Sequence, residues 1–334
     1  MLLPTRRLAP GEGVVKLARA GQQAVFETVK FSYPLKLIVP KRHFMDGLNV
    51  LYMISYGGGL VAGDQVVMHV EVEKGATLVL LTQGSTKVFK TRPGRFLTAT
   101  PLPDGTLPTT TRQLLHIKIH PSSTLILLPS PVTCFSKANY AQRQTFDLGD
   151  ETSNLLLLDW YTSGRMGMKG GGEEWDFTRY RSENEVRVAG RRVAKDVLLL
   201  EDEDRGDASP ASSASSTPPT DSSASPPPHR TSYLPRVAPY SSYCTLLIRG
   251  SLFTPLLQHL STSFTSITQY KQTNPYSLVW SFSPLEKGGE EVGGIARCAG
   301  DSTESVKRWV QEVLKEGGIE KIVGEDLWKN AFSS

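Results

Sequence analysis

The sequence predicts a mainly β protein. Many short segments alternate apolar and polar residues with a period of two, the mark of half-buried strands. Gly, Pro, Asn and Ser clusters separate them at regular intervals. Clear helical patterns come only late, after residue 250.

Taken in order, residues 1–13 read as a loose leader. Gly13–Arg19 and Gln23–Phe31 fit the first two strands. Ser32-Tyr33-Pro34 breaks the second, and Leu35–Val39 resumes extended chain before Pro40. Leu48–Ile54 is a short apolar run that leads into glycines at 57, 58, 59 and 63, closing on Asp64. Beyond it, Val66, Met68, Val70 and Val72 share one face, while Val67, His69, Glu71 and Glu73 share the other. Lys74-Gly75 turns the chain, and Ala76–Thr82 is expected to return beside it as a second strand. Thr91–Thr111 reads as a long hairpin connection with a strand near Arg95–Ala99. In Arg112–His120, Leu115, Ile117 and Ile119 point in, whereas His116, Lys118 and His120 point out. Thr124–Leu128 and Leu155–Trp160 are continuous apolar strands, and Val186, Val188, Val193 and Val197–Leu200 mark more.

Composition then shifts. Residues 202–236 are acidic at first and then almost wholly Ser, Ala, Pro and Thr, a mixture too poor in apolar surface to order itself. The segment reads as a disordered insertion within one domain spanning 1–334. Tyr243–Arg249 resumes the strands. Thr254 fits a helix N-cap before Pro255, with Leu256, Leu257, Leu260 and Phe264 on one face. Asp301 and Glu304 fit a capping box ahead of the stripe Val306, Trp309, Val310, Val313 and Leu314, which Gly317-Gly318 ends.

A net charge of +4 on 334 residues points to neither nucleic acid nor a membrane surface. Cys134, Cys244 and Cys298 are far apart and form no CxxC pair, which favours buried thiols in a reducing, cytoplasmic setting. The N-terminus has no signal-peptide core, and no apolar run approaches the roughly 20 residues of a membrane span.

The motifs exclude much chemistry. Glycines that cradle phosphate lead from a strand into a helix; these lead into a β-alternating segment, so Rossmann and P-loop readings fail. On a strand, His116 and His120 stand about 13 Å apart at about 3.3 Å per residue, too far to share one ion. No HExxH, no Cys/His cluster and no GxSxG elbow is present. Carboxylates remain. Asp159 ends an apolar run, where an isolated charge is costly, and Arg165 is its expected partner across Thr162-Ser163-Gly164. Asp64, Asp159 and Glu174 together fit weak oxygen ligation of a cation in transit. Asp159 with Glu173 or Glu174 also fits an acid/base pair of a β-sheet hydrolase or carbohydrate-binding protein.

Four segments, in this order, resemble the UreD (UreH) family of urease accessory proteins: Ser55–Asp64 (SYGGGLVAGD), Thr82–Lys90 (TQGSTKVFK), Leu128–Gln142 (LPSPVTCFSKANYAQ) and Leu155–Phe177 (LLLLDWYTSGRMGMKGGGEEWDF). The resemblance implies a helical two-layer β-fold, with β-helix-like stacked sheets and a few α-helices near the C-terminus. It implies a non-enzymatic role in maturing the nickel centre of urease, in complex with UreF-like and UreG-like proteins and apo-urease. The resemblance further implies that no cofactor is held tightly and that Ni²⁺ passes through a polar tunnel. On this reading Asp64, Asp159 and Glu174 serve the nickel path, while Gly58, Gly59, Gly63, Ser85, Thr86, Lys87 and Arg165 belong to the tunnel motifs. Glu174, beside Trp175, is taken as the family's loop glutamate. Apart from the resemblance, apolar Trp328 and Phe332 near the C-terminus fit either an exposed contact for the UreF-like partner or packing into the core.

Overall fold

The computed structural model describes residues 7–41, 45–90, 108–166, 172–201, 234–268 and 277–331. The strands are β1 (Glu12–Ala20), β2 (Gln23–Phe31), β3 (Leu35–Ile38), β4 (Leu48–Ser55), β5 (Gly59–Leu60), β6 (Gln65–Val72), β7 (Thr77–Thr82), β8 (Thr86–Val88) and β9 (Thr111–Ile119). They continue with β10 (Thr124–Leu128), β11 (Val132–Cys134), β12 (Asn139–Leu148), β13 (Asn154–Thr162), β14 (Arg179–Val188), β15 (Arg191–Glu201), β16 (Ser242–Arg249), β17 (Leu278–Lys287) and β18 (Glu290–Gly300). The helices are α1 (Leu234–Val237), α2 (Thr254–Thr268), α3 (Thr303–Glu316), α4 (Ile319–Val323) and α5 (Glu325–Ala331). None among the described residues is long and apolar enough to cross a membrane.

The strands form two sheets, as the mainly β prediction requires. One has seven strands in the order β15-β14-β12-β9-β6-β1-β2. The other follows β17-β18-β16-β13-β10-β7-β4-β3, with the short β5, β8 and β11 joined at one corner. The chain passes repeatedly from the first sheet to the second: β6 to β7, β9 to β10, β12 to β13. Successive passes stack in parallel, β6 on β9 on β12 on β14 and β4 on β7 on β10 on β13. This coiled stacking is the β-helix-like arrangement.

Burial explains which strand joins which sheet. The seven-stranded sheet has one face in the core and the other in water, so its strands alternate: Val66, Met68, Val70 and Val72 are buried in β6, and Leu115, Ile117 and Ile119 in β9. The middle strands of the larger sheet, β7, β10 and β13, are covered on both faces and so are almost continuously apolar. In β7, Leu78 and Leu80 enter the core between the sheets, while Val79 and Leu81 enter a second core under the helices. Leu125 and Leu127 of β10 and Leu155 and Leu157 of β13 repeat the first pattern; Ile126, Leu128, Leu156, Leu158 and Trp160 repeat the second.

This corrects the expected pairing of β6 with Ala76–Thr82. The Lys74-Gly75 turn, with Gly75 at φ 74°, carries the chain across to the other sheet, and β6 pairs with β1 and β9 instead. Nor does the 91–111 segment close a hairpin, since β8 and β9 belong to different sheets. Its expected strand at 95–99 lies outside the described residues, as do 202–233 of the expected insertion; 234–236 fall in α1.

The helices cover the outer face of the larger sheet through Leu256, Leu257 and Leu260 of α2 and the predicted α3 stripe. Their caps differ from expectation. Thr254 is already helical (φ −51°, ψ −42°), and its hydroxyl donates to Ser251 O at 2.9 Å. The capping box of α3 is Ser302 with Ser305; Asp301 accepts from the Ser305 hydroxyl at 3.0 Å. Trp328 is buried, 9% exposed, in the helix-side core rather than presented at the surface. Phe332 lies outside the described residues.

Candidate functional site: a polar seam between the sheets

Three of the sequence motifs meet at one corner of the coil. β5 pairs with β8 in register Gly59↔Lys87 and Leu60↔Val88, and β8 pairs with β11 as Thr86↔Val132, Lys87↔Thr133 and Cys134↔Val88. The glycine-rich, TQGSTK and LPSPVTC segments are thus the same corner of successive coils. Gly57, Gly58 and Gly63 adopt φ of 73°, 76° and 79°, the left-handed region that glycine enters freely. Gly59 is needed for another reason: a Cβ there would lie 2.5 Å from the Lys87 carbonyl oxygen. Asp64, 3% exposed, accepts from Val61 N–H at 2.9 Å and so closes the glycine turn. Thr111 clips that turn to β9, accepting from Gly63 N–H at 3.2 Å and donating to Val61 O at 3.1 Å.

Two adjoining cavities lead inward from this corner. The first, a narrow cleft of about 50 Å³, is lined by Gly58, Gly59, Gln83, Gly84, Ser85, Thr86 and Gln113, among others. The second, about 20 Å³, is lined by Gln142, Gln144, Asp159, Ser130 and Trp160, among others. They share Met53, Thr82, Thr86 and Gln113. A third, open groove of about 420 Å³ lies beyond Tyr161 at the β15 edge and shares no lining residue with them.

The inner end of the seam is built from polar residues at core-facing positions. β12 turns Tyr140, Gln142, Gln144 and Phe146 inward, and β14 turns Tyr180, Ser182, Asn184 and Val186 inward, in register Gln142↔Ser182 and Gln144↔Asn184. From the opposite sheet, alternation along β13 sends Asp159 into the same space, beside Leu157 and Tyr161. Asp159 is 8% exposed. Its Oδ1 accepts from Gln142 Nε2 at 2.7 Å; its Oδ2 accepts from the Ser182 hydroxyl at 2.5 Å and Asn184 Nδ2 at 2.7 Å. Gln142 also donates to Ser182 Oγ at 2.9 Å, Gln144 donates to Asn184 Oδ1 at 2.9 Å, and the Tyr140 hydroxyl lies 3.2 Å from Gln142 Oε1.

Burial pushes the Asp159 carboxyl above its ordinary value, against the pull of Ser182, Asn184 and Gln142. Tyr140, Tyr161 and Tyr180 line the far side, their hydroxyls pushed well above the usual range by burial. The Tyr180 hydroxyl is buried without a hydrogen-bond partner among the described residues. Desolvation likewise raises the Cys134 thiol, so it stays protonated.

The expected Asp159–Arg165 pair does not form. Asp159 faces the core, whereas Arg165 follows the end of β13 and stacks on Phe135, 4.1 Å from the ring centroid. Its guanidinium forks onto Glu173, with Nε donating to Oε2 at 2.9 Å. Glu173 also accepts from Ser136 N–H at 3.1 Å. Glu173 is therefore the glutamate that Arg165 holds; Glu174, the expected loop glutamate, is exposed. Of the three candidate cation ligands, only Asp159 lines the cavities; Ser85 and Thr86 do so as well, and Lys87 points to solvent. Gln113, Gln142, Gln144, Ser182 and Asn184 were not singled out from sequence. Their signal is there: each is a polar residue at a core-facing position of an alternating strand.

Comparison with known proteins decides the family. The family described as UreD urease accessory protein matches residues 9–326. This chain belongs to the UreD family. It is 36% identical over 96% of its length, and 95% of the relative's, to urease accessory protein 4 of Cryptococcus neoformans var. grubii. It is 28% identical to urease accessory protein D of Arabidopsis thaliana, covering 94% of this chain and 98% of that one. It is 32% identical to urease accessory protein UreD of Sorangium cellulosum, covering 91% and 79%. In this UreD-family chain the family match spans the corner motifs and the Asp159 seam alike.

Proposed function

We propose that this chain is a non-catalytic scaffold for urease maturation. It docks apo-urease together with UreF-like and UreG-like proteins in the cytoplasm, and it guides Ni²⁺ along the seam from the Gly58–Ser85 corner to Asp159. Membership of the UreD family supports the urease assignment. The observation that carries the nickel path is the pair of adjoining cavities that share Met53, Thr82, Thr86 and Gln113.

The donor set suits a cargo that must leave again. Hydroxyl and amide oxygens with a single carboxylate bind Ni²⁺ weakly and exchange it with water, whereas thiolates and imidazoles would hold it. Asp159 supplies the one charge. Burial makes that charge costly and pushes the carboxyl's pKa up, and an arriving cation compensates it. Gln142, Ser182 and Asn184 fix the carboxylate's orientation meanwhile.

The hydrolase reading has less support. Both Asp159 oxygens are engaged by Gln142, Ser182 and Asn184, and Glu173 is engaged by Arg165.

Co-expression of apo-urease with UreF-like and UreG-like partners, with and without this chain, tests the proposal. Urease activity and bound nickel should depend on its presence. Equal nickel loading without it would end the proposal.

A further inference from the structure

The outer, water-facing side of the seven-stranded sheet carries a second group of ligand-type side chains. Alternation along β6 puts His69 and Glu71 outward, with Glu73 just beyond the strand. Alternation along β9 puts His116 and Lys118 outward, with His120 just beyond. Parallel register sets His69 against His116 and Glu71 against Lys118. His120 Nε2 then sits 2.8 Å from Glu71 Oε1 and 3.7 Å from Glu73 Oε2. One ligand atom from each of Glu71, Glu73 and His120 lies within 4.8 Å of the others, the one such trio among the described residues. Their side chains are 36%, 30% and 24% exposed, so an ion can reach them from solvent.

We propose that Glu71, Glu73 and His120 form a surface site for a borderline divalent cation, Ni²⁺ or Zn²⁺. One imidazole nitrogen and two carboxylate oxygens supply three ligands at bond lengths of about 2.0–2.2 Å, and water completes the shell. An imidazole in the set selects such ions over Mg²⁺, which takes oxygen ligands.

Two ammonium groups compete for the same carboxylates. Lys118 Nζ is 3.3 Å from Glu71, and Lys16 Nζ is 3.2 Å from Glu73. Lys16 has a second carboxylate, Glu27, at 2.9 Å, so it can release Glu73 and stay paired. Lys118 is the competitor to remove. The stacked His69 and His116 rings, with centroids 5.2 Å apart, lie two residues back along the same strands.

The test is a titration of the untagged, full-length chain with NiCl₂ and, separately, ZnCl₂, read by calorimetry and equilibrium dialysis. One site should saturate on the wild type. His120→Ala and Glu73→Gln should each raise its Kd at least about ten-fold, with circular dichroism unchanged. Lys118→Met should lower the Kd several-fold, a gain that no loss of folding can mimic. Excess MgCl₂ should not displace the ion. Wild-type affinity in His120→Ala, no tightening in Lys118→Met, or displacement by Mg²⁺ would each overturn the site. Asp159→Asn should leave this step of the isotherm intact, so the surface site and the inner path stand or fall separately.

Discussion

Gln142 and Asp159 belong to opposite sheets, and the amide of one donates to the carboxylate of the other at 2.7 Å. Most of the contact between the sheets is apolar. At this point a polar bridge takes its place, with Ser182 and Asn184 completing it. A buried polar group must be fully engaged to be tolerated, and this one is engaged by three donors.

The first prediction concerns the pH dependence that Asp159 gives the fold. Burial raises its folded pKa above the unfolded value of about 3.9, so between the two values the folded state binds more protons. Stability from this group is therefore fully present below the unfolded value and falls as pH rises towards the folded one. Asp159→Asn cannot titrate there. Its altered hydrogen bonds add only a constant offset, so its urea midpoint relative to wild type should climb with pH across that window.

Glu183 should behave in the opposite sense. Burial alone would raise its pKa, but hydrogen bonds from Lys195 and Arg143 outweigh burial and hold it below the usual range. Its contribution is present above the unfolded value of about 4.3 and is lost as pH falls through the lower folded value. The surrounding Arg143, Arg181 and Lys195 side chains are 54%, 41% and 35% exposed, which screens the pairs. Glu183→Gln should therefore cost about 1–3 kcal/mol near neutrality, less than breaking a fully buried pair. That deficit should shrink in acid, as measured by urea unfolding.

Gly59→Ala tests the corner. The added Cβ would meet the Lys87 carbonyl at 2.5 Å and the Phe89 ring at 2.7 Å, forcing β5 from β8. Overpacking of this kind costs about 1–3 kcal/mol, so the melting temperature should drop. Gly84→Ala, where nothing lies within 4 Å, meets no clash and pays only for its φ of 74°; it should be the milder variant.

Arg165 and Glu173 are partly exposed, at 39% and 19%, so solvent screens their pairing and it should add little to stability. Arg165→Ala should leave melting nearly unchanged. If the pair shapes a docking surface, co-purification of a partner protein should fall while the fold persists.

Much of this was legible in the sequence. Each strand's inward face follows from its alternation, and the apolar runs of β10 and β13 announce burial on both sides. The stacking of β6 on β9 on β12 was not legible locally, because parallel neighbours are set by pairings far apart in the chain. The expected hairpin of β6 with β7 failed for that reason. Asp159 was legible as a costly carboxylate in an apolar run, but its partners lie on β12 and β14, and six residues of separation made Arg165 look nearer than the strand direction allows. Gln142 and Asn184 are hard to read locally because a polar residue on an alternating strand looks outward-facing until its phase is counted from Tyr140 or Tyr180.

The central claim is that Asp159 serves the passage of Ni²⁺ rather than the fold alone. The most direct measurement is the nickel content of urease recovered after co-expression with UreF-like and UreG-like partners and either the wild-type chain or Asp159→Asn. The account predicts several-fold less nickel with Asp159→Asn, at equal recovery of the assembled complex. Wild-type nickel loading by a folded, complex-forming Asp159→Asn chain would contradict it.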